Sequence, residues 1–192
     1  MLKIKNVSAK NFMSVGNNTQ AVNFDNCQLT LVLGHNLDMG GDGSRNGTGK
    51  TTIINALSYA LYGDALTNIR KDNLINKTNG KGMITTVEFE IEGKSYRIER
   101  GRRPNVLKLF IDGEDALENE QQGDSRETQK EIEKIIGVPH NLFKHLIALN
   151  TYTEPFLAMK NNDQRDMIEQ LLGITELSQK AEVLKERQKY TR

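Results

Sequence analysis

Cysteine is nearly missing from this chain: Cys27 stands alone among 192 residues. That excludes an intrachain disulfide and a four-cysteine zinc site, and it suits a reducing compartment. Prolines number only three, as expected of a mostly structured chain. Charge of one sign is missing as well, since 26 Lys plus Arg against 25 Asp plus Glu leave a net charge of +1. No global field therefore pulls the chain toward nucleic acid or a membrane surface, and any nucleic-acid contact must come from a local patch. Long apolar runs are absent too. Runs such as those at 29–33 and 146–149 fall far short of the roughly 18 residues of a membrane span, and the start MLKIKNVSAKNF has no signal-peptide core. The expectation is a cytoplasmic protein without a membrane partner, long enough for one domain with its own core and a short extension.

Glycine, by contrast, is concentrated: five of the ten residues at 40–49 are glycine, and the chemistry is to be sought there. Before that stretch, 2–7 alternates imperfectly at Leu2, Ile4 and Val7, and 21–24 follows the turn-forming Gly16-Asn17-Asn18, so the two should pair as antiparallel strands. The run Leu29-Thr30-Leu31-Val32-Leu33, ending at Gly34, reads as a strand buried on both faces of a central sheet. After the glycines, Ile53, Ile54, Leu57, Ala60 and Leu61 have helical spacing over 51–62, with Gly63 as a natural stop. Alternation over 84–91 and 95–100, a third run at 106–111, and turns at Gly93 and Asp112-Gly113 predict a three-stranded meander within 84–117. An exposed acidic, glutamine-rich loop is expected at 114–126, a helix at 128–136 stopped by Gly137, and another element opened by Pro139. Beyond Asp163, an apolar stripe of Ile168, Leu171, Leu172, Leu177, Ala181 and Leu184 marks a helix still running at the last residue. The fold class is α/β, a strand-loop-helix unit with an antiparallel β annex.

The loop itself reads Ser44-Arg45-Asn46-Gly47-Thr48-Gly49-Lys50-Thr51-Thr52. A strand before it and a helix after it form the context of a Walker A phosphate loop. Gly47 and Gly49 let backbone N–H groups approach phosphate oxygens, and the helix N-terminus adds a positive partial charge. Asn46, Gly47, Thr48, Gly49, Lys50, Thr51 and Thr52 are therefore the candidate nucleotide contacts. Lys50 would bridge the β- and γ-phosphates, Thr51 would ligate Mg²⁺ through its hydroxyl, and Thr52 would reach the α-phosphate through its backbone. Where the motif has a glycine six residues before the lysine, this chain has Ser44, and the ten residues HNLDMGGDGS separate Gly34 from Arg45. Either an insertion extends the loop and Gly34 keeps the turn at the strand end, or Gly43 and Ser44 replace that turn. Asp38 and Asp42 in this stretch read as solvated loop residues.

Four further segments accompany the loop: NFMS at 11–14, SYRIERGRRPNV at 95–106, NLFKHLIALNTYTEPFL at 141–157 and QRDMIEQLLGI at 164–174. With these in this order, the chain resembles the N-terminal half of the ATPase head of SbcC-type double-strand-break repair proteins, in particular the ATPase subunits of T-even-like phage recombination exonucleases. The resemblance implies the N-terminal lobe of an ABC-type ATPase head over 1–160 and the root of a long coiled coil over 161–192. It implies ATP and Mg²⁺ as cofactors. The implied partners are the C-terminal half of the head, a second head, an SbcD-type nuclease subunit and double-stranded DNA. The glutamine-loop position of the family falls on Asn150, whose carbonyl could touch Mg²⁺ or the attacking water; a polar cap at a strand end is the other reading. Lys10 and the backbone near Phe12 resemble the family segment that closes over the nucleotide, with Met13 where a basic residue is common. No LSGG-type signature and no apolar strand ending in Asp-Glu occurs in the sequence. Because phosphoryl transfer to water also needs groups that position the nucleophile and stabilise the transferring phosphoryl, the expectation is a truncated half-head. Lys50 and Asn150 are its candidate catalytic residues.

Between 94 and 108, six basic residues (Lys94, Arg97, Arg100, Arg102, Arg103 and Lys108) stand against Glu99 alone. A basic turn at the meander tip would offer salt-dependent, sequence-tolerant contacts to DNA phosphates, with Arg100, Arg102, Arg103 and Lys108 as candidates. No aromatic set interleaves to stack on unpaired bases. Alternation, taken to place Tyr96 and Ile98 on one face and the arginines on the other, leaves an ordinary solvated face as the competing reading. Arg70, Lys71, Lys77 and Lys81 form a looser group with the same ambiguity. His35, His140 and His145 lack metal-ligand spacing. Leu177, Ala181 and Leu184 are spaced as a coiled coil begins, or as a helix packed on the domain. Two other functions stand beside the ATPase lobe: a self-contained P-loop NTPase of another type, and a non-enzymatic module that holds nucleotide and tethers DNA.

Overall fold

Alternation of apolar and polar residues builds a six-stranded antiparallel sheet. The computed structural model describes residues 2–25, 29–36, 47–116, 125–149, 154–174, 181, 184–185 and 187–189. Its strands are β1 (Leu2–Lys10), β2 (Gln20–Asn23), β3 (Met83–Ile91), β4 (Lys94–Arg102), β5 (Val106–Ile111) and β6 (Glu114–Asp115), in the order β2-β1-β3-β4-β5-β6. Every neighbouring pair is antiparallel. The chain divides into two compact units, Met1–Gly137 and Val138–Arg192, and the sheet belongs to the first.

The imperfect alternation of β1 has a physical cause. Ile4 pairs with Phe89 and Asn6 with Glu88, so Lys5 has no partner of its own on β3 and forms a β-bulge. The bulge moves the inward frame from Leu2 and Ile4 to Val7 and Ala9, keeping all four on the side of Val87 and Phe89. Val7, Ala9, Met83, Val87, Phe89, Ile98 and Leu109 are buried on that side. Helix α1 (Lys50–Tyr62) packs on β1, β3 and β4, and α2 (Ser125–Ile136) packs on β5 and on α1. The opposite face is polar and holds its charges in pairs, Lys5 with Glu90 at 2.7 Å and Arg97 with Glu99 at 3.3 Å. The Arg97 guanidinium also lies 4.1 Å from the Phe110 ring centroid.

The expected helix after the glycines is α1, ended by Gly63 in the left-handed conformation (φ 74°) with its N–H on the Tyr59 carbonyl. The meander is β3 to β5. Residues 29–33 correct the expectation of a buried strand. They carry no regular structure, and Leu29, Leu31 and Leu33 are 93%, 81% and 69% exposed. A strand apolar on both faces needs parallel neighbours and cover on each side, whereas all named strands among the described residues join one antiparallel sheet. Glu114 and Asp115, expected in a loop, pair as β6, and α2 starts three residues before the expected helix.

In the second unit, α3 (His140–Leu142) follows Pro139 and leads into a π-helical turn at Phe143–Ile147. Helix α4 spans Asn161–Leu171, and Gly173 just beyond it is left-handed (φ 66°). The expected helix running unbroken from 163 is therefore interrupted there. Of the coiled-coil stripe, Ala181 and Leu184 are exposed, and Leu177 lies outside the described residues. No helix among the described residues is long and apolar enough to cross a membrane.

Burial separates Ile98 from Leu31 in a way that unfolding can measure. Ile98→Ala should cost about 2–5 kcal/mol in denaturant titration. Leu31→Ser should change stability by no more than about 0.5 kcal/mol; a loss at Leu31 matching that at Ile98 would return 29–33 to the core.

Candidate nucleotide-binding site

The loop geometry follows from its glycines. Gly47 and Gly49 have φ of 75° and 83°, a region that side chains disfavour. Helix α1 starts from Gly49 with no side-chain cap and no acidic residue in its first turn. The positive end of the helix dipole thus meets no acidic side chain in the first turn of α1, an arrangement that favours bound phosphate. Lys50 Nζ donates to Thr48 Oγ1 at 3.3 Å, which lays the ammonium against the loop. Gly34 lies on the same groups: a Cβ there would collide with Thr48 Oγ1 and fall 3.0 Å from Lys50 Nζ. The segment before the ten-residue stretch therefore reaches the phosphate loop at a glycine, although not as a strand.

Thr51 is exposed in the first turn of α1, while Thr52 is buried. The Thr52 N–H donates to the Gly49 carbonyl at 3.0 Å. Asn46, Asn150, Asp38, Asp42, Ser44 and Cys27 lie outside the described residues. Among the described residues, no group of three or more His, Cys, Asp or Glu could hold a metal ion.

Ser14 joins the site without any signal in residue spacing to single it out. Its Oγ lies 3.2 Å from Thr52 Oγ1. It is carried by a strap, 11–14, in which fully buried Phe12 sits 5.7 Å from the Tyr59 ring, between centroids. Asn11 and Met13 on either side have positive φ, 52° and 49°. Their conformation is held by hydrogen bonds: Asn11 Nδ2 donates to the Lys81 carbonyl at 3.0 Å, and Asn79 Nδ2 donates to Asn11 Oδ1 at 2.7 Å. The Met13 N–H donates to the Leu74 carbonyl at 2.7 Å, and Asn76 Nδ2 to the Met13 carbonyl at 3.1 Å.

The meander arginines correct the expected segregation of faces. Arg100 pairs with Thr85 and Ile98 with Val87, so Arg100 and Arg102 share the inward side with Tyr96 and Ile98, opposite Arg97 and Glu99. Arg100 Nε donates to the Ala60 carbonyl at 3.1 Å, and Nη2 donates to the Leu61 carbonyl at 3.5 Å and to Gln129 Oε1. Burial pulls the Arg100 pKa down to about 10, which leaves it charged at neutral pH. A cation placed there satisfies carbonyls of the last turn of α1 and complements its dipole. Arg102 Nε pairs with Asp72 at 2.7 Å and, as the main cause, holds that carboxyl below the usual range. Arg103 and Lys108 are exposed. Of the four candidate DNA contacts, Arg100 is thus engaged by helix carbonyls, while Arg102 and Arg103 meet at Asp72. Arg100 and Arg102 line an open cleft of about 570 Å³ with Lys71, Arg126 and Lys130.

A phosphate loop opening a helix that packs on a β-sheet defines an α/β ATPase lobe of the P-loop class. A family model described as an AAA domain matches residues 6–192, and the chain belongs to that family. Exonuclease subunit 2 of Enterobacteria phage T4 is 34% identical over 179 residues, covering 92% of this chain and 30% of that protein. The DNA double-strand break repair Rad50 ATPase of Methanococcus maripaludis is 27% identical over 182 residues, covering 93% of this chain and 16% of that one. The chain therefore spans less than a third of the length of these relatives. A solved chain from work on ATP-driven dimerization and DNA-stimulated activation of SMC ATPases superposes with a TM-score of 0.56 at 17% identity, covering 88% of this chain and 99% of that chain. These similarities bear out the resemblance to SbcC-type ATPases and the α/β ATPase fold.

The role of Arg100 as a cap can be separated from any role of the exposed arginine. Arg100→Met should destabilise the chain by about 1–3 kcal/mol in denaturant unfolding, because carbonyls of α1 lose their donor. Arg103→Met should leave the midpoint where it is.

Proposed function

We propose that the chain is the nucleotide-holding N-terminal lobe of the ATPase subunit of a DNA recombination and repair exonuclease, in which ATP joins two heads and thereby regulates a partner nuclease at DNA ends. The observation that carries this reading is the uncapped, acid-free start of α1, set behind two left-handed glycines with Lys50 laid against the loop. A nucleoside triphosphate fits these groups. The loop N–H groups and the helix dipole would hold its phosphates, Lys50 would bridge the β- and γ-phosphates, and the exposed Thr51 hydroxyl would be one ligand of Mg²⁺. Bound Mg²⁺ supplies charge neutralisation on the phosphate oxygens; the chain's own residues bind and orient. Asn46 and Asn150 keep their assignments as nucleotide and catalytic contacts under this reading.

The half-head follows from chemistry that the chain lacks. Its sequence has neither a signature motif nor a strand ending in Asp-Glu, so the C-terminal half and a second head must complete the site. Exposed Leu29, Leu31 and Leu33 are then the segment that awaits strands from that other half. Residues 1–160 form the lobe and 161–192 begin the coiled coil, where an SbcD-type nuclease docks. Exposed Arg103 and Lys108 are the DNA contacts that burial leaves open. The dimerization described for SMC ATPases supports a coupling of ligand to association.

Phosphate release from Mg-ATP tests the proposal on the chain alone, with duplex DNA, and with the C-terminal half added. The expected result is no turnover by the chain alone, binding of a fluorescent ATP analogue that Lys50→Ala removes, and turnover on completion. Turnover by the chain alone that vanishes in Lys50→Ala would make it a self-contained NTPase. Silence after completion would leave a module that holds nucleotide without hydrolysing it.

A further inference from the structure

We infer that Asp72 sets the DNA affinity of the basic turn after β4: its carboxylate occupies Arg102 and Arg103 in the free protein, and a backbone phosphate of DNA displaces it. The inference rests on the DNA contacts assigned above to the basic turn and adds the residue that governs them. Asp72 lies on the short helical turn Lys71–Leu74. Arg102 Nε is 2.7 Å from Asp72 Oδ1, and Arg103 Nη2 is 3.9 Å from the same oxygen. One anionic oxygen thus stands before two consecutive guanidiniums, where a phosphate oxygen carries the same sign of charge and suits the same donors. The hydrogen bond from Arg102 also holds the carboxyl below its usual range, so it is charged at neutral pH.

This contact is open to exchange. Side-chain exposure is 54% for Asp72 and 59% for Arg103, and an ion pair so open to water contributes little to stability. Other bonds hold the backbone of the turn: the Gly82 N–H donates to the Arg103 carbonyl at 2.7 Å, and Arg102 pairs with Met83 on β3. A phosphate can therefore replace the carboxylate while the turn stays in place. Arg102 also lines the cleft with Lys71 and Lys130, and among the described residues no carboxylate lines it. Displacing Asp72 joins the turn to those cations. Because the displaced carboxylate takes up a counterion, DNA binding is both weaker and less salt-dependent than binding to free arginines would be.

The test measures binding of a fluorescent duplex DNA to the 192-residue chain over a salt series. The variants are Asp72→Asn, Asp72→Glu, Glu92→Gln, and Arg102→Met/Arg103→Met with and without Asp72→Asn. Asp72→Asn should tighten binding about threefold, the worth of an exposed ion pair, and steepen the salt slope by about one. Asp72→Glu, which keeps the carboxylate, should bind as the parent does. Exposed Glu92 lies at the opposite end of the meander, so Glu92→Gln removes the same charge well beyond a screening length of about 8 Å and should change affinity by less than about twofold. Without the two arginines, Asp72→Asn should bring no gain, and its unfolding midpoint should match the parent's. Unchanged affinity in Asp72→Asn, while Arg102→Met/Arg103→Met weakens binding, would sink the role of Asp72 and spare the DNA contacts. Equal gains in Asp72→Asn and Glu92→Gln, or a gain that persists without the arginines, would reduce the effect to net charge and overturn the inference. So would weaker binding with a lowered midpoint, which would make Asp72 a support of the turn. A parent chain whose DNA binding ignores Arg102→Met/Arg103→Met, or which binds no DNA even as Asp72→Asn, would sink the DNA reading of the turn itself.

Discussion

The apolar side of the antiparallel sheet has to be covered, and the position of α1 over it decides where the phosphate loop emerges. Val87, Phe89 and Ile98 are buried on that side, and each such side chain removed from water contributes about 1.5–3 kcal/mol. The helix is bounded by left-handed glycines at both ends, Gly49 and Gly63, so it has little freedom to lengthen in either direction. Phe12 against Tyr59 pins it from the strap, and Arg100 holds its last turn from β4. The loop is thus aimed by the core rather than by contacts of its own.

The two ends of α1 are treated oppositely. At the C-terminus, a buried guanidinium and Gln129 meet carbonyls of the last turn, and the Gly63 N–H closes on Tyr59. At the N-terminus, no side chain caps the helix. Unmet N–H groups at a helix start cost stability unless water or a ligand takes them. A helix secured along its length and at one end tolerates that cost at the other, and a surface able to receive an anion is the result.

What the sequence showed and what it hid divide along the range of the interactions. Helix α1 and the meander were legible because glycine stops and strict alternation act within a few residues. The irregular alternation of 2–7 was itself a sign of the bulge at Lys5. The run at 29–33 misled because an apolar run states that a segment requires neighbours on both faces, not that this chain provides them. Counting parity along β4 places Arg100 with Ile98, yet only the packing of α1 shows that the guanidinium is consumed by helix carbonyls. Ser14 could not be found from spacing, since its partner lies far along the chain and is brought close by the strap. Asn46 and Asn150 rest on the motif and on the family resemblance.

The bulge in β1 carries a consequence for how this strand tolerates changes in length. A strand that buries one side exchanges its faces whenever a residue is lost from its middle. Lys5 is the exception: removing it leaves Ile4 next to Asn6, with Ile4 and Val7 both still directed inward. The strand can therefore shorten there without turning itself inside out, surrendering only the ion pair with Glu90 and the bond from the Phe24 N–H to the Lys5 carbonyl. A deletion one step later, at Asn6, would leave the same spacing with a lysine in its place, and a deletion at Val7 would set Ser8 against the core.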